Sequence, residues 1–187
     1  MVILLLGGSA SGKSQWAEGL AVALHRRSGG PLLYLATMAA EDGESRRRVT
    51  RHRKLRAGKG FLTVERPVGL MELSLPPGAT ILVEDLGNLV ANEVFSPEGG
   101  GERAVRLGLE HLRRQAKHLI LVGNEIFSDG EAWQGEMAAY LRLLAQAQAA
   151  CAAWSGAAGA VICGIPLWQK RPKESWFEEL IKEAEPL

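Results

Sequence analysis

Apolar residues fall along this chain in short dense runs, separated by longer stretches of mixed character. Residues 2–6, 32–36, 80–83 and 118–122 are continuous enough in Val, Ile and Leu to predict buried strands. Residues 160–166 predict a last strand of the same kind, and the alternation over 61–65 predicts a shorter one. Between these runs the spacing turns helical, over 15–24, 86–95, 102–117 and 132–153. In the third of these, Val105, Leu109 and Leu112 share one face, and His111 belongs to the surface rather than to a ligand set. A short helix is expected over 68–73, and the cation-rich stretch 46–56 can form a helix with one charged face. Glycine, proline and serine punctuate the chain at 28–31, 76–78, 96–101 and 156–159. Strands alternating with helices, with no internal repeat, imply one α/β domain over residues 1–187. Its sheet is mostly parallel, with helices on both faces. The final stretch is amphipathic, with Trp176, Phe177, Leu180 and Ile181 placed to dock on the body or on another subunit.

The junction of the first strand and first helix carries the chemistry. Gly7, Gly8, Ser9, Ala10, Ser11, Gly12, Lys13 and Ser14 have the spacing of a phosphate-binding loop, in the strand–loop–helix context that loop requires. Glycines let the backbone curl around phosphate oxygens, and the N–H groups at a helix start form an anion nest. Lys13 is expected on the terminal phosphates, and the Ser14 hydroxyl on a magnesium ion. The fold class is therefore P-loop NTPase-like. Glu84 and Asp85 end an apolar strand, where an acid can hold the magnesium shell, and either can serve. Two more polar segments, 37–45 and 123–125, follow strands at the end where α/β sheets bind ligands.

Composition narrows the classes. A net charge of +1 and 47% hydrophobic residues exclude a disordered tail and a bulk polyanion binder. No apolar run approaches the roughly 20 residues of a membrane span. The nucleotide loop begins at residue 7, which leaves no room for a signal peptide, so a cytoplasmic protein is expected. Cys151 and Cys163 lack metal-ligand spacing and sit among apolar residues, which predicts buried thiols and no disulfide. The basic segment admits three readings: a solvated surface helix, a nucleic-acid patch, or a phosphate-handling site around His52. A short run without interleaved aromatics weighs against nucleic acid. Neighbouring cations would keep His52 neutral, as a nucleophile must be.

Several separated motifs then agree. The P-loop with Ala17-Glu18, Leu33-Tyr34-Leu35-Ala36-Thr37, Glu44, Arg48, His52-Arg53, Ile81-Leu82-Val83-Glu84, Asn92 and Leu121-Val122-Gly123-Asn124-Glu125 stand in matching order and spacing. In these the chain resembles the bifunctional adenosylcobinamide kinase / adenosylcobinamide-phosphate guanylyltransferase family of cobalamin assembly. The resemblance implies two reactions. A nucleoside triphosphate, ATP or GTP, phosphorylates adenosylcobinamide. GTP then guanylylates a histidine, which falls on His52, and the GMP passes to adenosylcobinamide phosphate. His52 and Lys13 are then the catalytic candidates. Arg53, Glu65 and Glu84 join the loop residues on the nucleotide, and Ser14 and Glu84 hold Mg2+. A homo-oligomer, a trimer by resemblance, is implied, with no nucleic-acid partner. The chain departs from the family pattern at Asp85, where a neutral residue is usual, at Gly123, where threonine is usual, and over 126–132. Another small-metabolite kinase without guanylyl transfer, or a nucleotide-binding regulatory protein, remains the alternative on the residues alone.

Overall fold

The computed structural model describes residues 1–38, 50 and 56–186. In chain order the elements are β1 (Val2–Gly7), α1 (Lys13–Ser28), β2 (Leu32–Ala36), β3 (Leu62–Glu65), a 3-10 turn (Leu70–Glu72), β4 (Thr80–Glu84), α2 (Leu86–Phe95) and α3 (Gly101–Gln115). They continue with β5 (His118–Asn124), α4 (Gly135–Trp154), β6 (Ala157–Ile162), β7 (Ile165–Lys170) and α5 (Ser175–Ala184). The strands form one sheet in the order β3-β2-β4-β5-β1-β6-β7. All neighbours are parallel except β7, which returns antiparallel to β6.

The two-residue period of the strands explains the layers. Ile3, Leu5, Leu82, Ile120 and Val122 point to one face, where α1 and α5 cover them. Leu4, Ile81, Val83, Leu119 and Leu121 point to the other, under α2, α3 and α4. Central strands buried on both faces read as continuous apolar runs, which is why they were visible in the sequence. Val105, Leu109 and Leu112 of α3 are buried as their spacing requires. The short helix expected over 68–73 is only the 3-10 turn, and α4 starts at Gly135 rather than at 132.

The expected last strand over 160–166 is instead the tip of a hairpin. Cys163 (φ 49°) and Gly164 (φ 82°) turn the chain between β6 and β7. Two consecutive positive φ values make the tight loop whose twist matches the flanking strands. Pro166 is tolerated because β7 is the edge of the sheet. The turn leaves Cys163 exposed, not buried as expected, while Cys151 is buried and both thiols are free. Burial pushes the Cys151 thiol up to about 12. The C-terminal helix docks on the body. Phe177 and Leu180 are fully buried against α1. The fit is close, since a Cβ on Gly19 would stand 2.1 Å from the Ala184 carbonyl oxygen. Among the described residues, no helix is long and apolar enough to cross a membrane.

Candidate functional site

The loop between β1 and α1 is shaped by two glycines that nothing else could replace. A Cβ on Gly7 would meet the Ser11 hydroxyl oxygen at 2.5 Å and the Val161 carbonyl at 2.7 Å. Gly12 has φ +94° and stands at the cap of α1 with no side chain to occupy the helix start. The first-turn N–H groups of a helix lack intrahelical acceptors, so this end is left for an anion. The β6–β7 turn braces the loop from behind. The Gly164 N–H donates to the Ser11 carbonyl (2.8 Å), and the Trp16 indole donates to the Gly164 carbonyl (2.8 Å). Lys13 is buried and arches back, its ammonium donating to the Gly8 carbonyl at 3.0 Å. Burial lowers its pKa, and the carboxylates of Asp85 and Glu84 oppose that shift.

The two acids at the end of β4 are separated by their partners. Glu84 follows Leu82 on the α1 side of the sheet, so it faces the helix that carries Ser14. Its Oε1 accepts a short hydrogen bond from the Ser14 hydroxyl, and its Oε2 accepts one from the Tyr34 hydroxyl at 3.1 Å. Tyr34 lies two strand positions before the end of β2 and is buried there. Burial first, then the charge of Glu84, hold its phenol well above the ordinary range. The Arg56 guanidinium lies 3.3 Å from the centre of the Tyr34 ring, and Phe61 meets the ring edge-on at 6.2 Å.

Asp85 has other work. Its Oδ1 accepts from the Asn88 N–H (2.8 Å) and so caps α2, while its Oδ2 accepts from the Asn124 side chain (3.1 Å). Its carbonyl accepts from the Thr37 hydroxyl (2.8 Å), and the Thr37 carbonyl accepts from Asn92 (2.7 Å). The ends of β2, β4 and β5 are thus tied together by side chains. Gly123 leaves room for α4: a Cβ there would meet Leu6 at 2.6 Å and the Gln148 amide nitrogen at 2.9 Å. Gln148 uses that space to donate to the Asn124 carbonyl (2.9 Å).

This combination of loop, lysine and paired serine and glutamate makes a comparison with known proteins informative. A model of the cobinamide kinase / cobinamide phosphate guanyltransferase family matches residues 3–168. The chain belongs to this family. It is an enzyme of the cobinamide kinase and guanyltransferase class. Among its relatives is the bifunctional adenosylcobalamin biosynthesis protein CobP of Pseudomonas aeruginosa. The two are 36% identical over 128 residues, covering 65% of this chain and 70% of that protein. Another is the bifunctional adenosylcobalamin biosynthesis protein CobU of Escherichia coli, 31% identical over 143 residues, covering 67% of this chain and 76% of that protein.

Of the residues singled out in this cobinamide kinase / guanyltransferase family member, Gly7 to Ser14 and Glu84 meet in one place. Glu65 ends β3, in the same row of the sheet as Ala36 and Glu84, two strands from Glu84. His52 and Arg53, with Glu44, Arg48 and Arg51, lie outside the described residues. Arg56, next after them among the described residues, is 6% exposed and stacked on Tyr34. One of its guanidinium nitrogens has no hydrogen-bond partner among the described residues. A cavity of about 440 Å3 opens beside it, lined by Arg56, Gly58, Phe61 and Thr63. Lys59 pairs with buried Glu18 at 2.6 Å. His111 sits against the Leu73 carbonyl at 3.0 Å, a packing role far from this chemistry. Tyr34 was missed as a site residue, because an aromatic in an apolar run carries no signal of what its hydroxyl will meet.

The donor set fits magnesium. The Ser14 hydroxyl and the Glu84 carboxylate are adjacent hard oxygens at the phosphate loop. Among the described residues no three His, Cys, Asp or Glu side chains cluster as a metal site. Magnesium does not need one, since it binds through one or two protein oxygens together with substrate phosphates and water.

Proposed function

We propose that this chain phosphorylates adenosylcobinamide with a nucleoside triphosphate. It then transfers GMP from GTP, through His52, to adenosylcobinamide phosphate, giving adenosyl-GDP-cobinamide. The observation that carries this reading is the Ser14–Glu84 contact at a phosphate loop whose lysine is within reach. The nucleotide-binding residues are Gly7 to Ser14, Arg53, Glu65 and Glu84. The loop N–H groups and the α1 dipole receive the phosphates, and Lys13 leaves the Gly8 carbonyl to meet them. Ser14 and Glu84 would hold Mg2+, which supplies positive charge beside the phosphate oxygens.

In the kinase step the acceptor hydroxyl oxygen bonds to the γ-phosphorus, its proton is lost, and the nucleoside diphosphate leaves. In the guanylyl step a neutral His52 nitrogen bonds to the α-phosphorus of GTP, the bridging P–O bond breaks, and pyrophosphate leaves. A phosphate oxygen of adenosylcobinamide phosphate then displaces the histidine. Arg51 and Arg53, its neighbours in sequence, would favour its neutral form and balance the charge on the phosphates. The chain works as one domain in the cytoplasm, as a homo-oligomer that is a trimer by family resemblance.

The test is incubation with magnesium and GTP labelled at the α-phosphate, comparing wild type with His52→Ala. Label that survives denaturation and base, is lost in acid and is missing from the variant is expected. Protein that binds GTP yet takes no covalent label would remove the guanylyl half and leave a kinase.

A further inference from the structure

A kinase and guanyltransferase needs a place for its acceptor, and the face beside Asp85 has the right chemistry. At the carboxyl end of β5 the chain enters a loop that is hydrogen-bonded to itself. Glu125 Oε1 accepts from the Phe127 N–H (3.0 Å) and the Ser128 hydroxyl (2.9 Å). Asp129 accepts from the Glu131 N–H (3.1 Å) and the Trp133 indole (2.8 Å). These turns order the loop, yet Phe127 and Trp133 stay 40% and 46% exposed. Met137, 43% exposed, follows on the first turn of α4. Tyr140 lies three residues on and so shares its helix face. The Tyr140 ring meets that of Phe95, at the end of α2, at 6.3 Å, and Phe95 is 49% exposed. Exposed apolar side chains that lie together mark a binding surface, and here the Phe95 and Tyr140 rings are in contact.

Tyr140 also reaches polar groups. The Tyr140 hydroxyl donates weakly to the Gly87 carbonyl at 3.4 Å. A Cβ on Gly87 would meet Asp85 Oδ1 at 3.1 Å, the Tyr140 hydroxyl at 3.1 Å and the Asn124 amide nitrogen at 3.2 Å. Asp85, Asn124 and Tyr140 therefore pack closely around Gly87. Asp85 is the residue next to Glu84, which binds Ser14 of the phosphate loop. Tyr140 thus stands beside the end of the sheet where the phosphoryl group would be transferred.

We propose that Phe95, Phe127, Trp133, Met137 and Tyr140 form the binding shelf for the corrinoid acceptor, with Asp85 and Asn124 receiving its amide and hydroxyl groups. The inference rests on the function proposed above and assigns its acceptor site. A corrinoid is a broad ring with apolar faces and an amide fringe. Aromatic faces with polar tips match that pattern. A second copy of the chain would also cover apolar side chains, but it would not require them to end at the groups beside the phosphate loop.

The test is steady-state phosphorylation of adenosylcobinamide by the full chain as wild type, Trp133→Ala and Met137→Glu, with sedimentation and melting of each. Both variants are expected to raise KM for adenosylcobinamide about tenfold, while KM for ATP and the melting temperature hold. An active wild type whose variants keep their KM for adenosylcobinamide would overturn the shelf and leave the proposed function standing. The same unchanged KM with a changed sedimenting mass in Met137→Glu would make the shelf a face between copies. A wild type that neither binds nor phosphorylates adenosylcobinamide would overturn the proposed function, and the shelf with it.

Discussion

Glu84 is a carboxylate held from two sides, by the Ser14 hydroxyl and by the phenol of Tyr34. The two bonds differ in consequence. Ser14 belongs to the loop and would exchange Glu84 for a metal shared with the phosphates, whereas Tyr34 is buried in β2 and stays. Its hydrogen bond keeps the carboxylate aimed at the loop while the ring holds the Arg56 guanidinium. Tyr34→Phe keeps the ring and removes only the hydroxyl. A loss of about 1.5–3 kcal/mol in urea unfolding is expected, the range for a hydrogen bond to a charged group. The magnesium concentration needed for half-maximal kinase activity should rise with it. A variant unchanged in both would mean that Tyr34 only fills space. The sequence announced Glu84, since an acid ending an apolar strand is a local signal. It left the choice between Glu84 and Asp85 open, because that choice depends on which side of the sheet each carboxylate meets, and on Asn88 and Asn124, which lie on other elements.

At the scale of elements, the phosphate loop is built by three of them. β1 delivers it, α1 receives it, and the β6–β7 turn supports it through Gly164. This support explains Gly12. Its φ of +94° is closed to ordinary side chains, and a Cβ would stand 3.1 Å from the Gly164 Cα. Gly12→Ala is expected to cost at least about 1 kcal/mol in stability and to weaken ATP binding, measured by denaturation and by titration. Gly8→Ala is the contrast: nothing lies within 4 Å of a Cβ there, so stability should hold within about 0.5 kcal/mol. Equal stability of both variants would refute the bracing role of the turn. The loop motif was legible because it is contiguous. Its brace was not, since Cys163-Gly164 lacks the usual asparagine or aspartate of a tight hairpin and Pro166 reads as the end of a strand. The aromatic shelf was also hidden. Phe95, Trp133 and Tyr140 belong to different stretches, and only the packing of α2 beside α4 joins the first to the last.

For the whole molecule the question is whether one sheet carries one cooperative unit. The two apolar layers use the same strands, alternate residues of β1, β2, β4 and β5 going to each. Neither layer can open without exposing the backs of strands that the other covers. The layer on the α1 side is completed by α5, whose Phe177 is wholly buried and meets Trp168 of β7 edge-on at 5.3 Å. That helix therefore reports on the full fold, although its residues stand far from the phosphate loop in sequence. Phe177→Ala removes a large ring from a closed layer, and about 3–5 kcal/mol of stability should go with it. Because the layers share strands, the loss should shift one denaturant transition, seen alike by tryptophan fluorescence and far-ultraviolet circular dichroism. Two transitions, with only the earlier one moved by the substitution, would mean that α5 and the β6–β7 hairpin unfold as a separate unit. The phosphate loop would then lose its brace before the sheet opens, and ATP binding should vanish with the first transition rather than the second.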